Sequence, residues 1–314
     1  MPQKILIDCD PGIDDAIAIL MAHGSPAVDI VAITTVAGNQ TLEKVTLNAR
    51  RIATLAGIHD VPIAAGCDRP LIRDQILAAY VHGETGLDGP AFFEPTVELA
   101  DIHAVDLIIE SVLAVPGELT LVPIGPLTNI AVAMRREPRI VEAVREVVLM
   151  GGSYTRGNTT AAAEFNILVD PEAAAAVFSG SWTVTMVGLD LTEQARTNAE
   201  VVARIDALGT PVSRFVLDLL GHYDRNVRKI ESAPTAAIHD ACAIARVIDP
   251  TLMTERNAYV EVETRSLLTY GMTVTDFKCR EHPANTSVPT TLDAARFWDL
   301  MVDSLDRAGQ STVG

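Results

Sequence analysis

Residues 5–20 read ILIDCDPGIDDAIAIL, so Asp8, Asp10, Asp14 and Asp15 fall within eight positions between two apolar runs. The flanking runs ask for burial, first as a strand and then as a helix, whereas the acids between them ask for water. Carboxylates sheltered without partners are strongly disfavoured, so the cluster needs protons, basic partners or a bound cation. No Lys or Arg follows Lys4 in this neighbourhood. A hard metal ion is therefore the first expectation.

The same stretch opens a longer rhythm. KILID, DDAIAILMAHG, VDIVAITTVAG, QTLEKVTLNARRIATLAG and VPIAAG alternate short β-rich runs with helical segments. The alternation continues through HAVDLIIESVLA, ELTLVPIG, LTNIAVAMRRE, EVVLMGG, DPEAAAAVF and WTVTMVGLD. This pattern predicts an α/β fold: an open, mainly parallel, Rossmann-like sheet with helices on both faces. Between residues 66 and 100 the rhythm fails, in a stretch containing VHGETGLDGP that reads as a lid or binding loop. After about residue 255 the strands NAYVEVET and GMTVTDF predict a small antiparallel appendage, closed by a helix near DAARFWDLMVDSL.

With 314 residues, 48% hydrophobic and 21% charged, the chain has enough apolar content for a large core, read here as a single domain over residues 1–314. Its net charge of −17 disfavours nucleic acid and anionic membrane surfaces as partners, leaving neutral or cationic small molecules, or ones bound through a metal. No apolar stretch reaches the roughly 18 residues of a membrane span. MPQKILIDCDPG does not resemble a secretory signal, and Cys9, Cys67, Cys242 and Cys279 form no C-x-x-C pair. These features predict reduced thiols and a cytoplasmic location.

In open α/β sheets ligands sit beyond the carboxyl ends of the strands. Asp8 and Asp10 occupy that position after the first strand, Gly38 and Asn39 after the second, Gly125 and Asn129 after TLVPIG, and Gly151 and Gly152 after EVVLM. Each has a plainer alternative. Asp10-Pro11-Gly12 would serve as an ordinary helix entry, as Asp170-Pro171-Glu172 does, but capping uses one acid and four are present. An EF-hand is excluded, since counting from Asp8 puts Gly12 and Ile19 where ligands belong, while a D-x-D phosphoryl-transfer site stays open. Asn39 in AGNQT alternatively satisfies a turn. Asn158, Glu164 and Asn166, in GNTTAAAEFN, form a denser polar set; if extended, Glu164 and Asn166 share a face and suit a polyhydroxylated ligand. Asp240, after His239 in AAIHDACAIA, could cap the next helix, and His82 lies in the lid segment.

Taken together these residues resemble the nucleoside hydrolase family, the calcium-dependent N-ribohydrolases, both inosine/uridine-preferring and pyrimidine-preferring. The family's D-x-D-P-G-x-D-D signature is complete as DCDPGIDD, and AITTVAGNQ, HGETGLDGP, LVPIGPLTN, VVLMGG, AEFN, DPEAA, GLDLT and IHD follow in its order. The resemblance implies the nucleoside hydrolase fold and cleavage of ribonucleosides to ribose and free base, for nucleoside salvage. It implies Ca²⁺ held by Asp10, Asp15, Asp240 and the backbone carbonyl of Ile124. Asp14, Asn39, Asn166 and Asp240 would bind the ribose 2′- and 3′-hydroxyls, and Asn158 and Glu164 the 5′ end. Asp10 would deprotonate the attacking water, and His239, with His82 sharing or replacing it, would protonate the leaving base. A homo-oligomer, dimer or tetramer, is also implied. Val227 departs from the pattern, standing near where some members place a tyrosine against the base, with Tyr223 retained. The rival reading is a Ca²⁺-dependent nucleoside- or sugar-binding protein without turnover, which would need neither a general base nor an acid.

Overall fold

The computed structural model describes residues 1–91, 93–230 and 235–310. The first half builds β1 (Gln3–Cys9), α1 (Ile13–Gly24), β2 (Val28–Thr35), α2 (Leu42–Ala56), β3 (Ile63–Ala65), α3 (Ala79–His82) and α4 (Ala104–Ala114). It continues through β4 (Leu119–Pro123), α5 (Thr128–Arg136), α6 (Ile140–Ala143), β5 (Glu146–Met150), α7 (Phe165–Val169), α8 (Pro171–Phe178) and β6 (Val184–Val187). Then come α9 (Leu189–Thr192), α10 (Ala199–Ala207), α11 (Pro211–Ile230), α12 (Asp240–Ile248), β7 (Met253–Val262), β8 (Thr273–Asp276), β9 (Thr286–Leu292) and α13 (Ala294–Gln310).

Nine strands form one sheet in the order β3-β2-β1-β4-β5-β6-β9-β7-β8. All pairings from β3 to β9 are parallel, and β7 runs antiparallel to both β9 and β8. The expected mainly parallel sheet with an antiparallel appendage is therefore observed. Successive side chains of β1 serve opposite faces. Ile5, Ile7 and Cys9 enter a core with α1, α2, α11, α12 and α13, while Leu6 enters a second core with α4, α5 and α8. The chain leaves β1 for β2 and β3, then returns to place β4 on the other side of β1. That reversal opens a crevice beyond the carboxyl ends of β1 and β4, where open α/β sheets take ligands.

The longest elements outside the alternation read in the sequence are β9, α10 and α11. β9, TSVPTTL, has too few apolar residues to announce a strand, and its Pro289 is accommodated where the register with β7 slips. Inserted between β6 and β7, it joins the appendage to the main sheet. Helices α10 and α11 occupy a stretch to which the alternation assigns no element. Among the described residues no helix is long and apolar enough to cross a membrane.

Candidate active site

Asp10, just past the end of β1, is fully buried in the crevice. Its Oδ2 accepts a hydrogen bond from the Asn39 backbone N–H at 2.6 Å. Its Oδ1 is buried and has no protein partner among the described residues. Glycines make room on both sides: a Cβ on Gly38 would collide with Oδ2, and one on Gly125 would stand 2.6 Å from Oδ1. These are close approaches that a larger residue would block.

Asp15 faces back toward Asp10 across the entry to α1. It accepts from the backbone N–H groups of Asp10 (3.1 Å) and Gly12 (2.9 Å) and from Asn39 Nδ2 (3.2 Å). Asp240, at the start of α12, makes no cap bond and instead meets the α1 acids, so the plain capping alternative fails. One carboxylate oxygen each from Asp14, Asp15 and Asp240 lies within 4.8 Å of the others, all buried. Segments more than 200 positions apart in sequence thus bring the predicted acids to one point.

Packing like charges in a dry site has a price in protonation. Burial, with Asp15 adjacent, pushes Asp14 up to about 8, and burial pushes Asp15 up to about 6 against its backbone hydrogen bonds. Asp10 and Asp240 are driven well above the usual carboxylate range, first by burial and then by their acidic neighbours. Asp8, behind the cluster, is raised to about 7 by burial although Thr34 and Asn129 donate to its Oδ1 at 2.6 and 2.8 Å.

The polar side chains lining the pocket are oriented by their unused atoms. Asn39 donates its Nδ2 to the Asp10 carbonyl at 3.2 Å and to Asp15, leaving Oδ1 as a free acceptor. Asn166 donates its Nδ2 to the carbonyls of Ile124 (3.0 Å) and Met150 (3.1 Å), again leaving Oδ1. Asn158 is turned the other way: its Oδ1 accepts from the Phe165 N–H at 3.0 Å, leaving Nδ2 as the donor. The AEFN stretch is not extended. Glu164 is the N-cap of α7, with Oε1 accepting from Asn166 N–H (3.0 Å) and Oε2 from Gly152 (3.0 Å) and Ile167 (3.2 Å). Glu164 and Asn166 still line one cavity, because the capping side chain folds over the first helical turn.

Two histidines also line the pocket. His82, at the end of α3, accepts the Ile13 N–H at Nδ1 (3.2 Å) and lies 5.9 Å, ring to ring, from Tyr223 of α11. His239 places Nδ1 2.7 Å from the hydroxyl of Thr192, a partner the sequence reading does not single out. Burial lowers both, His82 to about 3 and His239 to about 4, so both rings are neutral near pH 7. The lid expected between residues 66 and 100 contributes Ala78, Tyr80, Val81 and His82 to the pocket. Gln40 and Asn48 hold its carbonyls at Gly83 (3.0 Å) and Thr85 (2.8 Å), and Asn226 of α11 holds that of Val81 (2.8 Å). Val227 is buried outside the pocket lining, and residues 231–234 of the base-side segment lie outside the described residues.

The cavity opens between α3, α7, α11 and the start of α12, a concave polar site of the kind that takes a small-molecule substrate. Acids and amide acceptors line it, and the two neutral rings stand among them, His82 at the entry to α1 and His239 next to Asp240. Such a site binds hydroxyls and stabilises positive charge.

Residues 5–299 match the family model described as inosine-uridine preferring nucleoside hydrolase. The inosine-uridine preferring nucleoside hydrolase of Crithidia fasciculata is 51% identical over 314 residues, spanning 98% of this chain and 99% of that protein. The pyrimidine-specific ribonucleoside hydrolase RihB of Escherichia coli is 45% identical over 300 residues, spanning 95% of this chain and 96% of its own. Among solved structures, the purine-preferring ribonucleoside hydrolase from Gardnerella vaginalis aligns with a TM-score of 0.92 at 30% identity, over 99% of this chain and 100% of that one.

Proposed function

The chain belongs to the inosine-uridine preferring nucleoside hydrolase family and hydrolyses ribonucleosides; on that premise we propose that Ca²⁺ and the acids of the crevice carry out the reaction. The observation that carries this reading is the buried, unpartnered Asp10 Oδ1 beside the Asp14–Asp15–Asp240 cluster. Oxygen donors alone, closely spaced and mutually repelling, suit a hard divalent cation. Asp10, Asp15, Asp240 and the Ile124 carbonyl are the residues that would hold it. When bound, the ion supplies Lewis acidity toward water and toward the ribose 2′- and 3′-hydroxyls.

The remaining chemistry belongs to the chain. Asp10 accepts a proton from the water that attacks the anomeric carbon. The C–N bond breaks with its electron pair passing to the base, and the positive charge developing on the ribosyl ring is stabilised by the surrounding carboxylates more than the neutral substrate is. Asp14 and Asp240, with the free carbonyl oxygens of Asn39 and Asn166, accept from the ribose hydroxyls, while Asn158 and Glu164, whose oxygens also accept backbone N–H groups, meet the 5′ end. His239 contacts the departing base. In place of the proton donor that the family resemblance implies, a ring neutral in this site is suited to hydrogen-bonding the base anion, which then takes its proton from solvent; His82 stands beside it.

We further read residues 1–314 as one domain, supported by the single sheet running through them, and the protein as a homo-oligomer, dimer or tetramer, of the cytoplasm, supported by family resemblance and by four free cysteines. The names of the relatives point to different bases, and the pocket's base side carries Tyr223 and His82 without a tyrosine at position 227. Turnover of inosine, adenosine, guanosine, uridine and cytidine with added Ca²⁺ tests the reading. Ribose release from at least one is expected; release from none would overturn it.

The protonation pattern has a further consequence for stability. Carboxylates whose folded values are raised bind protons more tightly in the native than in the unfolded chain, so the stability they contribute is complete at acid pH and is lost as pH rises through the folded values. For Asp15 and Asp14 that loss extends to about 6 and about 8. Buried neutral histidines act in the opposite sense, but only below the ordinary histidine value of about 6.5. Between pH 7 and 9 the carboxylates therefore dominate. The melting temperature of chelator-treated protein is expected to fall across that interval, and saturating Ca²⁺ to remove the slope. A flat profile without metal would contradict the charge cluster.

A further inference from the structure

His239 is held from two directions by the chain that follows β6. Residues 195–197 run against residues 236–238, with the Ile238 N–H donating to the Ala195 carbonyl (3.1 Å) and the Thr197 N–H to the Ala236 carbonyl (3.0 Å). Arg196 and Ala237 form an antiparallel bridge between them. This fixes the backbone just ahead of His239. The ring is fixed separately, by the fully buried Thr192 at the end of α9, whose Oγ1 stands 2.7 Å from Nδ1.

A threonine hydroxyl has one proton to give. Within reach of Thr192 Oγ1 are His239 Nδ1 at 2.7 Å and the Leu189 carbonyl, one turn back in the same helix, at 3.5 Å. The reverse arrangement, Nδ1–H donating to Oγ1, would leave the hydroxyl proton only the 3.5 Å contact at the limit of a hydrogen bond, so the shorter contact favours donation to Nδ1. Nδ1 then accepts, and the ring hydrogen of a neutral imidazole must sit on Nε2. Nε2 has no protein partner in any described contact, and the ring lines the pocket with Asp14, His82 and Tyr223.

We propose that Thr192 is the positioning residue of His239, fixing the ring so that Nε2–H, and not a lone pair, meets the departing base. The opposite tautomer would turn a lone pair toward a base gaining negative charge and would oppose bond cleavage. This inference rests on the reading of His239 as the leaving-group contact. It adds a buried hydroxyl from the β6–α10 connection to the machinery, as a group that acts through another and touches no substrate.

The test compares substrates that differ in how much help the leaving group needs, using the Ca²⁺-loaded, full-length protein. Thr192→Val keeps the side-chain shape and removes the hydroxyl. It should lower kcat for uridine and inosine by about 10- to 100-fold, part of the roughly 10² to 10³ that one hydrogen-bond donor aimed at developing charge contributes, with KM within about threefold. Hydrolysis of 4-nitrophenyl riboside, whose leaving group departs unaided, should fall less than about threefold, and Thr192→Ser should recover most of the nucleoside activity. Equal losses on both substrate types, or no recovery by serine, would overturn the proposal as a packing effect. His239→Ala separates the two levels. If it too fails to discriminate between the substrates, the leaving-group reading falls and this inference with it; if it discriminates and Thr192→Val does not, this inference alone falls. Should the valine variant not fold, the ¹⁵N shifts of His239 in the wild-type protein, assigned by their loss in the alanine variant, decide: the Nε2–H tautomer supports the assignment and the Nδ1–H tautomer overturns it.

Discussion

Replacing Asp10 by asparagine is expected to lower kcat for a good nucleoside substrate by about 10³- to 10⁴-fold, toward the upper end of what positioned proton transfer contributes. The amide keeps an oxygen for the Asn39 N–H that Asp10 Oδ2 now accepts at 2.6 Å, so the backbone around it has no reason to move. What changes is the other atom. Oδ1, buried and without a protein partner, becomes an NH₂ group that can neither take a proton from water nor face a cation. Bound Ca²⁺ should fall together with kcat, measured by elemental analysis after desalting. The same change removes one of several like charges packed in a dry site, so the metal-free variant should melt higher than metal-free wild type at pH 8. Function and apo-stability are set against each other at this residue. An asparagine variant with undiminished turnover would remove Asp10 from the mechanism.

A comparably large effect is expected from the substrate side. If Asp14, Asp240 and the free amide oxygens of Asn39 and Asn166 are the acceptors for the ribose hydroxyls, a 2′-deoxynucleoside leaves one or more of them buried and unpaired. Sites built to bond a hydroxyl reject its absence by roughly 10⁴ to 10⁵ in kcat/KM. Uridine should therefore exceed deoxyuridine by about that ratio. Uridine 5′-monophosphate should also be a poor substrate, because its phosphate would meet Glu164 in a chain of net charge −17. Comparable kcat/KM for all three compounds would contradict the assignment of the pocket walls.

Much of this site is legible in the sequence because its parts sit at strand ends. Asp10 after β1, Asn39 after β2 and Gly125 after β4 are placed by the β-α alternation alone, once the sheet is recognised as parallel; Asp8 falls within β1 itself, and Ile124 is implied only by the family resemblance. The topology then brings them together, since β1 lies between β2 and β4. Glu164 and Asn166 were reachable by composition but not by geometry: an extended strand would put them on one face, whereas a helix cap does so by a different route. Strand β9 and helices α10 and α11 are harder to see. The first is rich in Thr and Ser, with a proline at a bulge, and depends on β6 and β7 for its conformation. Thr192 closes GLDLT, an element shared with the family, but the motif alone assigns it no partner. A buried threonine in an apolar stretch is ordinary, and only the folded chain shows it against a histidine 47 positions away.

On this reading Asp10, Asp15 and Asp240 are gathered past the end of β1, with the Ile124 carbonyl, to hold a divalent cation where ribose binds. Uridine or inosine hydrolysis by chelator-stripped protein, followed as Ca²⁺ is added back with bound metal counted in the same samples, tests it most directly. The account predicts no ribose from metal-free protein and recovery that saturates at one ion per chain. Full turnover by protein shown to be metal-free would contradict it.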